Sequence, residues 1–116
     1  MLIRIVGKEA HSRGFLYNFE SEGKSIVVLF LYHALERMRK WNLKEEVVGE
    51  TLIYPEEVLM GHNKRFIAQK RYRKHIVRAV YEYESTMPVL VTVYFPYSKE
   101  YFQGGGKYED KIFPRS

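Results

Sequence analysis

The chain has 116 residues, enough for one domain with a single core, and 46% of them are apolar, so it can fold without cross-links. The absence of cysteine excludes disulfide frameworks, thiolate metal sites and thiol nucleophiles, and predicts a reducing compartment, the cytoplasm. The net charge of +5 is concentrated between Glu57 and Glu82, where seven Lys and Arg residues lie without any Asp or Glu, and such a segment suits a polyanionic partner.

The first third of the chain has the patterns of β-strands. Residues 1–6 alternate, and residues 14–20 and 25–32 are strand-like runs on either side of a turn at 21–24, which predicts a hairpin. The run 25–32 is far shorter than the roughly 20 residues that span a bilayer, so we predict a buried strand and no membrane contact. Three roles stay open for the N-terminal extension, residues 1–24: it closes the sheet, it pairs with a second copy in a homo-oligomer, or it covers a cleft.

Two helices are predicted after this hairpin. In residues 32–41, apolar residues recur at helical spacing on one side, whereas His33 and Arg37 share the opposite side. The apolar side comprises Leu31, Ala34, Leu35, Met38 and Trp41. A second helix follows directly, and Pro55 either ends it or starts a final turn through Val58.

The second half of the chain predicts three strands, at residues 65–72, 76–84 and 89–95. Their connections are short, so they should form an antiparallel meander. Three consecutive glycines then predict a flexible tail, residues 104–116. The expected fold is one α+β domain over residues 1–116, with two helices followed by a three-stranded antiparallel meander, which the N-terminal strand or hairpin joins.

Six segments in the last two thirds of the chain carry a resemblance to a known family. They are His33–Met38, Glu45–Val47, Pro55–Val58, Arg65–Lys70, Val77–Tyr81 and Val91–Tyr94. In this order, over about residues 33–113, they resemble a domain-of-unknown-function family related to the RelE and BrnT toxins. The resemblance implies a RelE-like fold and a metal-independent endoribonuclease of the mRNA interferase type. It also implies that RNA, including ribosome-bound mRNA, is the substrate and that a protein antitoxin is a partner.

By position, the same resemblance implies His33, Arg37, Lys70 and Arg78 as catalytic residues. RNA cleavage without a metal needs a base for the 2′-hydroxyl proton, an acid for the leaving 5′-oxygen and cations for the phosphate. His33 and Arg37, one helical turn apart, can address one phosphate, whereas a helix cap and an ion pair are their structural alternatives. Lys70 and Arg78 each lie on a mostly apolar strand face, which suits either a cleft or an edge position with the charge in solvent.

A second group of residues predicts a nucleic-acid-binding surface. It comprises Lys64, Arg65, Arg71, Arg73, Lys74 and Tyr94. The tyrosine can stack on an unpaired base, although packing within the sheet is the commoner use of strand tyrosines. The four histidines show no metal-ligand spacing and the chain has no nucleotide-binding glycine motif, so neither a metal nor a cofactor is predicted.

Two functions therefore compete. The first is a toxin-like, metal-independent endoribonuclease, and the alternative is a non-catalytic nucleic-acid-binding or protein-interaction domain. An enzyme needs the four predicted catalytic residues in one cleft, whereas a binding domain only needs cations spread over a surface. The positions of these four side chains should discriminate between the two functions.

Overall fold

The computed structural model describes residues 2–97, which form strands and two short helices. The strands are β1 (Arg4–His11), β2 (Gly14–Ser21), β3 (Lys24–Leu31), β4 (Glu57–Met60), β5 (Phe66–Tyr72), β6 (His75–Glu84) and β7 (Met87–Tyr94). The helices are α1 (Tyr32–Trp41) and α2 (Glu45–Ile53), which lie between β3 and β4 in the chain. The predicted flexible tail, residues 104–116, lies outside the described residues.

All these strands belong to one mixed sheet with the order β1-β2-β3-β7-β6-β5-β4. Neighbours pair antiparallel except β3 and β7, which are parallel over two residue pairs, Leu29 with Val89 and Phe30 with Leu90. The predicted fold class is therefore wrong. The antiparallel meander of β5, β6 and β7 is present, but it is one part of a seven-stranded sheet, to which the N-terminal residues add three strands.

Strand β4 is the clearest local difference from the prediction. Of the two alternatives at Pro55, the structure agrees with the first, since α2 ends at Ile53, and a strand takes the place of the final helical turn. Proline has no N–H and favours an extended conformation in the residue before it, so α2 cannot continue through it. Val58 and Leu59 are both buried, and they pair with Ala68 and Ile67 of β5. Burial of consecutive residues on the two faces of the sheet outweighs the weak local preference for a helix.

Both helices pack against the same face of the sheet and complete one core. Ala34 and Met38 of α1 and Val48 and Leu52 of α2 are buried there. The strand residues of this core include Tyr17, Phe19, Phe30, Val77, Ala79, Leu90 and Val93. Since the core draws on β2 and β3 as well as on β6 and β7, the N-terminal strands share their packing with the rest of the sheet.

Gly49 lets α2 approach the N-terminal strands closely. A Cβ atom at this position would lie 2.5 Å from Cε1 of Phe19. The Phe19 ring is fully buried, with its centroid 5.9 Å from that of Phe30 and 6.1 Å from that of Tyr17. A ring in such close packing cannot move away without disturbing its neighbours. The glycine is therefore required for packing at this position.

We expect Gly49→Ala to destabilise the protein by about 1–3 kcal/mol, because the added methyl group overpacks the core. The same change in an ordinary helix stabilises by roughly 0.5–1 kcal/mol, so the expected sign is reversed. Chemical denaturation measures the free energy of unfolding. Combining Gly49→Ala with Phe19→Leu should cost less than the sum of the two single changes, because the smaller side chain leaves room. A stabilised Gly49→Ala protein would contradict this close packing.

The short parallel pairing determines where α1 lies. Because β3 pairs with β7 at only two positions and α1 begins directly after β3, the helix continues alongside the C-terminal half of β7, its main packing partner. The helix ends at Asn42, which has a left-handed conformation with φ 56°. Trp41, in its last turn, is 38% exposed rather than buried as the helical pattern predicts. The exposed tryptophan reaches the end of β7, where the candidate site lies.

Candidate functional site

A polar row crosses four neighbouring strands of the sheet. Glu57 of β4 faces Gln69 of β5, Gln69 faces Arg78 of β6, and Arg78 faces Tyr94 of β7. Side chains alternate along a strand, so this row lies on the opposite face from Val77 and from the core that the helices cover. We call these four residues the polar row.

Gln69 holds the arginine of the polar row in place. Its side chain is fully buried, and its Oε1 accepts a hydrogen bond of 2.6 Å from Nε of Arg78. Its backbone carbonyl accepts a hydrogen bond of 2.8 Å from the N–H of Glu56, which secures the strand itself. Because the donors of a guanidinium lie in one plane, a bond at Nε orients the whole group.

The polar row meets a pocket of about 350 Å³ at its β7 end. This pocket is lined by Trp41, Arg78, Tyr94, Phe95 and Pro96, and we call it the Arg78 pocket. Trp41 is 38% and Tyr94 44% exposed, so both rings can be reached from solvent. The pocket thus combines a cation, a phenol hydroxyl and aromatic surface. These groups suit a ligand that has both a planar ring and a negative charge.

Glu57 stands at the other end of the polar row, and its pKa is raised above the ordinary glutamate value. Burial is the main cause and the neighbouring Glu56 carboxylate the second, whereas the charges of Arg71 and Arg78 act in the opposite direction. The Glu57 carboxyl is therefore within electrostatic reach of Arg78. A carboxyl with a raised pKa can exchange a proton nearer to neutral pH than an exposed glutamate can.

Two buried polar atoms without hydrogen-bond partners lie in or beside the polar row. In residues 2–97 the side-chain atoms of this kind are Gln69 Nε2, Thr92 Oγ1, Arg37 Nε and, away from the row on β2, Asn18 Oδ1. Thr92 lies two residues before Tyr94 on the same face of β7, and Arg37 lies one helical turn before Trp41. Buried polar groups are nearly always satisfied in proteins, so the unpartnered Gln69 Nε2 and Thr92 Oγ1 are exceptions on this face of the sheet.

The structure separates two of the predicted catalytic residues. Lys70 faces Val77, so it lies on the helix-covered face of the sheet, opposite to Arg78. Its Nζ lies 2.9 Å from Oε2 of Glu50 and donates a hydrogen bond of 3.2 Å to the backbone carbonyl of Tyr54. The four predicted catalytic residues therefore do not line one cleft, and the contacts of Lys70 join β5 to α2 and its C-terminal cap.

The other two predicted catalytic residues, His33 and Arg37, precede Trp41 on α1 by two turns and one turn. His33 is exposed and Arg37 is half-buried. With a rise of 1.5 Å per residue, Arg37 lies about 6 Å and His33 about 12 Å from Trp41 along the helix axis. Since Trp41 lines the Arg78 pocket, Arg37 is the nearer of the two to that pocket.

Two of the predicted nucleic-acid-binding cations are paired with carboxylates at the borders of the acid-free interval. Nε of Arg65 lies 3.0 Å from Oε1 of Glu82. Arg71 donates to both carboxylate oxygens of Glu56, at 3.2 and 2.9 Å, and these hydrogen bonds lower the pKa of Glu56. Carboxylates that lie outside the acid-free interval in the sequence, Glu56 and Glu82, therefore neutralise part of its positive charge in the folded protein.

The remaining predicted cations occupy two separate places. Lys64 is exposed in the turn before β5, and Arg73 and Lys74 are exposed in the turn after it. The seven-residue strand between the two turns is roughly 23 Å long. Tyr94, the last residue of the predicted set, lines the Arg78 pocket.

A larger pocket, of about 420 Å³, lies between the β2–β3 turn and the end of α2. Its lining includes the hydroxyl groups of Ser21 and Tyr54, which are hydrogen-bonded to each other at 2.7 Å. Ser21 also donates to the backbone carbonyl of Leu2. The Arg78 pocket is the stronger candidate site despite its smaller volume, because it combines a guanidinium group with two exposed aromatic rings.

Within residues 2–97, no three His, Cys, Asp or Glu side chains are grouped so that they could hold a metal ion. The two helices in that range are too short and too polar to cross a membrane.

Three residues of the candidate site are missed by reasoning from the sequence: Glu57, Gln69 and Trp41. The helical pattern assigns Trp41 to the core, and neither alternative at Pro55 places Glu57 in a strand. Gln69 carries the one usable signal, because a polar residue directly beside the buried Ala68 of a strand suggests a role on the other face. The pairing that brings Gln69 to Arg78 becomes visible only once the strand register is known.

The sequence profile of one family matches this chain. The family is described as a domain of unknown function (DUF4258), and the match covers residues 30–95, which is more than half of the chain. Comparisons with curated proteins and with solved structures find no match. The matched residues include the whole polar row and every residue of the Arg78 pocket except Pro96.

Proposed function

This chain belongs to the DUF4258 family, and we propose that it binds unpaired RNA at the Arg78 pocket and cleaves it without a metal ion. The observation that carries this proposal is the meeting of Arg78, Tyr94 and Trp41 in one open pocket. A guanidinium suits a phosphate, and exposed aromatic rings suit the faces of unpaired bases. A pocket with both kinds of group favours a single-stranded nucleic acid over a simple anion.

The polar row and the adjoining pocket together offer the groups that cleavage at a 2′-hydroxyl needs, if the RNA strand lies along the row from Arg78 to Glu57, two strands away. In the proposed reaction the Glu57 carboxylate takes the 2′-hydroxyl proton, and the 2′-oxygen attacks the adjacent phosphorus. A 2′,3′-cyclic phosphate forms as the bond to the 5′-oxygen breaks, and the leaving oxygen takes a proton from Tyr94. Arg78 and Arg37 stabilise the negative charge that develops on the phosphate. Proton exchange with water then restores the carboxylate and the donor.

Two features support cleavage in addition to binding. The raised pKa of Glu57 suits a group that must hold a proton during the reaction, and the charge of Arg78 reaches that carboxyl. The buried Gln69 fixes the orientation of Arg78, which is the preorganisation that transition-state stabilisation requires. Lys70 lies on the other face of the sheet, so the four residues predicted as catalytic do not meet, and the proposed reaction instead takes Glu57 as its base.

The comparisons place the chain in the DUF4258 family alone, and a relationship of that family to the RelE and BrnT toxins is part of the proposal. The segments that carry the resemblance to these toxins include His33–Met38 and Val91–Tyr94, which lie in α1 and β7 beside the Arg78 pocket. If the relationship extends to partners, the substrate includes mRNA on the ribosome and a protein antitoxin inhibits the enzyme. Because the seven-stranded sheet is not the fold that the resemblance implies, the proposal rests on the chemistry of the site.

The test is to incubate the full-length protein with end-labelled single-stranded RNA in the presence of EDTA. We expect cleavage that leaves a 2′,3′-cyclic phosphate, and we expect an all-2′-deoxy oligonucleotide to be bound but not cut. Arg78→Ala should weaken binding of that oligonucleotide by about 10- to 150-fold, since a hydrogen bond to a charged group contributes about 1.5–3 kcal/mol. Arg4→Ala is the matched control, because Arg4 lies on the edge strand β1 at the far side of the sheet.

A protein that neither binds nor cuts RNA would overturn the proposal, as would equal losses in Arg78→Ala and Arg4→Ala. A protein that binds the oligonucleotide through Arg78 but leaves RNA uncut would overturn the cleavage step and favour the non-catalytic binding domain.

A further inference from the structure

Four aromatic rings form a ladder at the end of the sheet where β7 leaves it. The His75 ring is stacked between Phe95, at a centroid distance of 4.4 Å and an angle of 12°, and Tyr97, at 4.5 Å and 26°. Tyr72 lies on the other side of Phe95, with a centroid distance of 6.2 Å. We call these four residues the aromatic ladder.

The backbone builds the ladder by extending the pairing of β6 beyond the regular strands. Tyr72 faces His75 across the β5–β6 turn, and Tyr97 forms an isolated antiparallel bridge with His75. The N–H of Ile76 also donates to the carbonyl of Pro96 at 3.0 Å. These main-chain bonds hold the rings in position without a helix over them, so they form a preformed stack.

The two ends of the aromatic ladder are open to solvent. Tyr97 is 55% and Tyr72 37% exposed, so part of each terminal ring can be reached from solvent. The guanidinium carbon of Arg73 lies 5.4 Å from the centre of the Tyr72 ring, and Lys74 is exposed in the same turn. Exposed rings with neighbouring cations provide stacking surface and phosphate contacts together.

The aromatic ladder adjoins the Arg78 pocket, because Phe95 belongs to both. The geometry points to a second binding subsite, in which an unpaired base of the RNA strand stacks on the outer face of Tyr97 while a nucleotide further along the same strand occupies the Arg78 pocket, because His75 lies between Tyr97 and the shared Phe95. This inference rests on the proposed function and deepens it, since it makes the substrate an unpaired strand of several nucleotides. A double helix cannot offer its bases to such a stack without being opened.

Charge identifies the occupant of the ladder. A protein segment rich in apolar residues would gain nothing from Arg73 and Lys74, whereas a nucleic acid strand places a phosphate beside every base. Stacking on an aromatic side chain tolerates every base, because each base has a π face. The ladder should therefore increase affinity for single strands with little preference for sequence.

The test compares Tyr97→Ala and Tyr97→Phe with the parent protein in the binding of a non-cleavable adenine hexanucleotide with 2′-deoxy sugars. We expect Tyr97→Ala to weaken binding about 5- to 150-fold and Tyr97→Phe to bind as the parent does, because the ring provides the contact. A dinucleotide, which fills only the Arg78 pocket, should bind equally to all three proteins. Tyr83→Ala is the control, since Tyr83 is also exposed but lies eight residues from His75, near the opposite end of β6.

The outcomes separate this inference from the proposed function. If the parent cuts RNA and Tyr97→Ala binds the hexanucleotide as well as the parent, the ladder is not a subsite, although the ribonuclease proposal stands. If the hexanucleotide is bound through Tyr97 but RNA stays uncut, the ladder stands and the cleavage proposal fails. Equal losses for the dinucleotide and the hexanucleotide, or for Tyr97→Ala and Tyr83→Ala, would overturn a separate ladder subsite.

Discussion

Replacement of Glu57 by glutamine should lower the rate of RNA cleavage by about 10²–10⁴-fold, the usual contribution of a general base. Binding of a 2′-deoxy oligonucleotide should stay nearly unchanged, because this ligand lacks the 2′-hydroxyl that Glu57 is proposed to contact and Glu57 does not line the Arg78 pocket. Single-turnover cleavage and equilibrium binding, measured on the same preparation, separate the two effects. Equal cleavage by Glu57→Gln and the parent would remove the proposed base.

The pH dependence of cleavage gives this prediction a second readout. A general base acts as the carboxylate, so the rate should rise with pH through the pKa of Glu57, which lies above the ordinary value of 4.5. Glu57→Gln should lose this limb of the profile. Glu56→Gln should keep the limb but move it to lower pH, because the Glu56 carboxylate is one of the groups that raise the pKa of Glu57.

Loss of activity in Glu57→Gln should not come from unfolding. A carboxyl whose pKa is raised in the folded state favours folding at low pH, and this contribution is lost as pH rises from the unfolded-state pKa to the folded-state pKa. At neutral pH the ionised Glu57 carboxylate therefore destabilises the folded state, and replacement by the neutral glutamine removes this destabilisation. The melting temperature of Glu57→Gln at neutral pH should equal or exceed that of the parent.

The helical period in the sequence predicts α1 correctly, and with it the common side of His33 and Arg37. It does not predict the exposure of Trp41, because this depends on what lies opposite the last turn of the helix. The short pairing of β3 with β7 carries that turn to the end of β7, where the tryptophan lines a pocket instead of the core. Periodicity gives the side of a helix, whereas tertiary packing decides which part of that side is covered.

The ion pairs of the chain are equally hard to predict from the sequence. The interval between Glu57 and Glu82 is acid-free along the chain, but Arg71 is paired with Glu56 and Lys70 with Glu50, because sheet pairing and helix packing bring these carboxylates to them. The polar row likewise depends on strand register, which places Glu57 beside Gln69 although twelve positions separate them in sequence. These contacts are long-range, and patterns of residues along the chain contain little information about them.

The N-terminal strands should be indispensable to the stability of the matched domain, although they precede the residues that match the family. Phe19 of β2 tests this expectation, because its ring is fully buried against Phe30 and directly below Gly49 of α2. Phe19→Ala should cost about 3–5 kcal/mol, the usual range for a buried phenylalanine. That is a large fraction of the roughly 5–15 kcal/mol that stabilises an ordinary domain.

Urea denaturation monitored by Trp41 fluorescence would measure this cost, because Trp41 lies in α1 within the matched residues. Phe15→Ala on the same strand is the matched control, since Phe15 is only half-buried and should cost less. If β1 and β2 were an independent addition, Phe19→Ala would leave the transition seen at Trp41 unchanged. A single transition that shifts to lower urea would instead show that β2 and α1 unfold together, as the shared core requires.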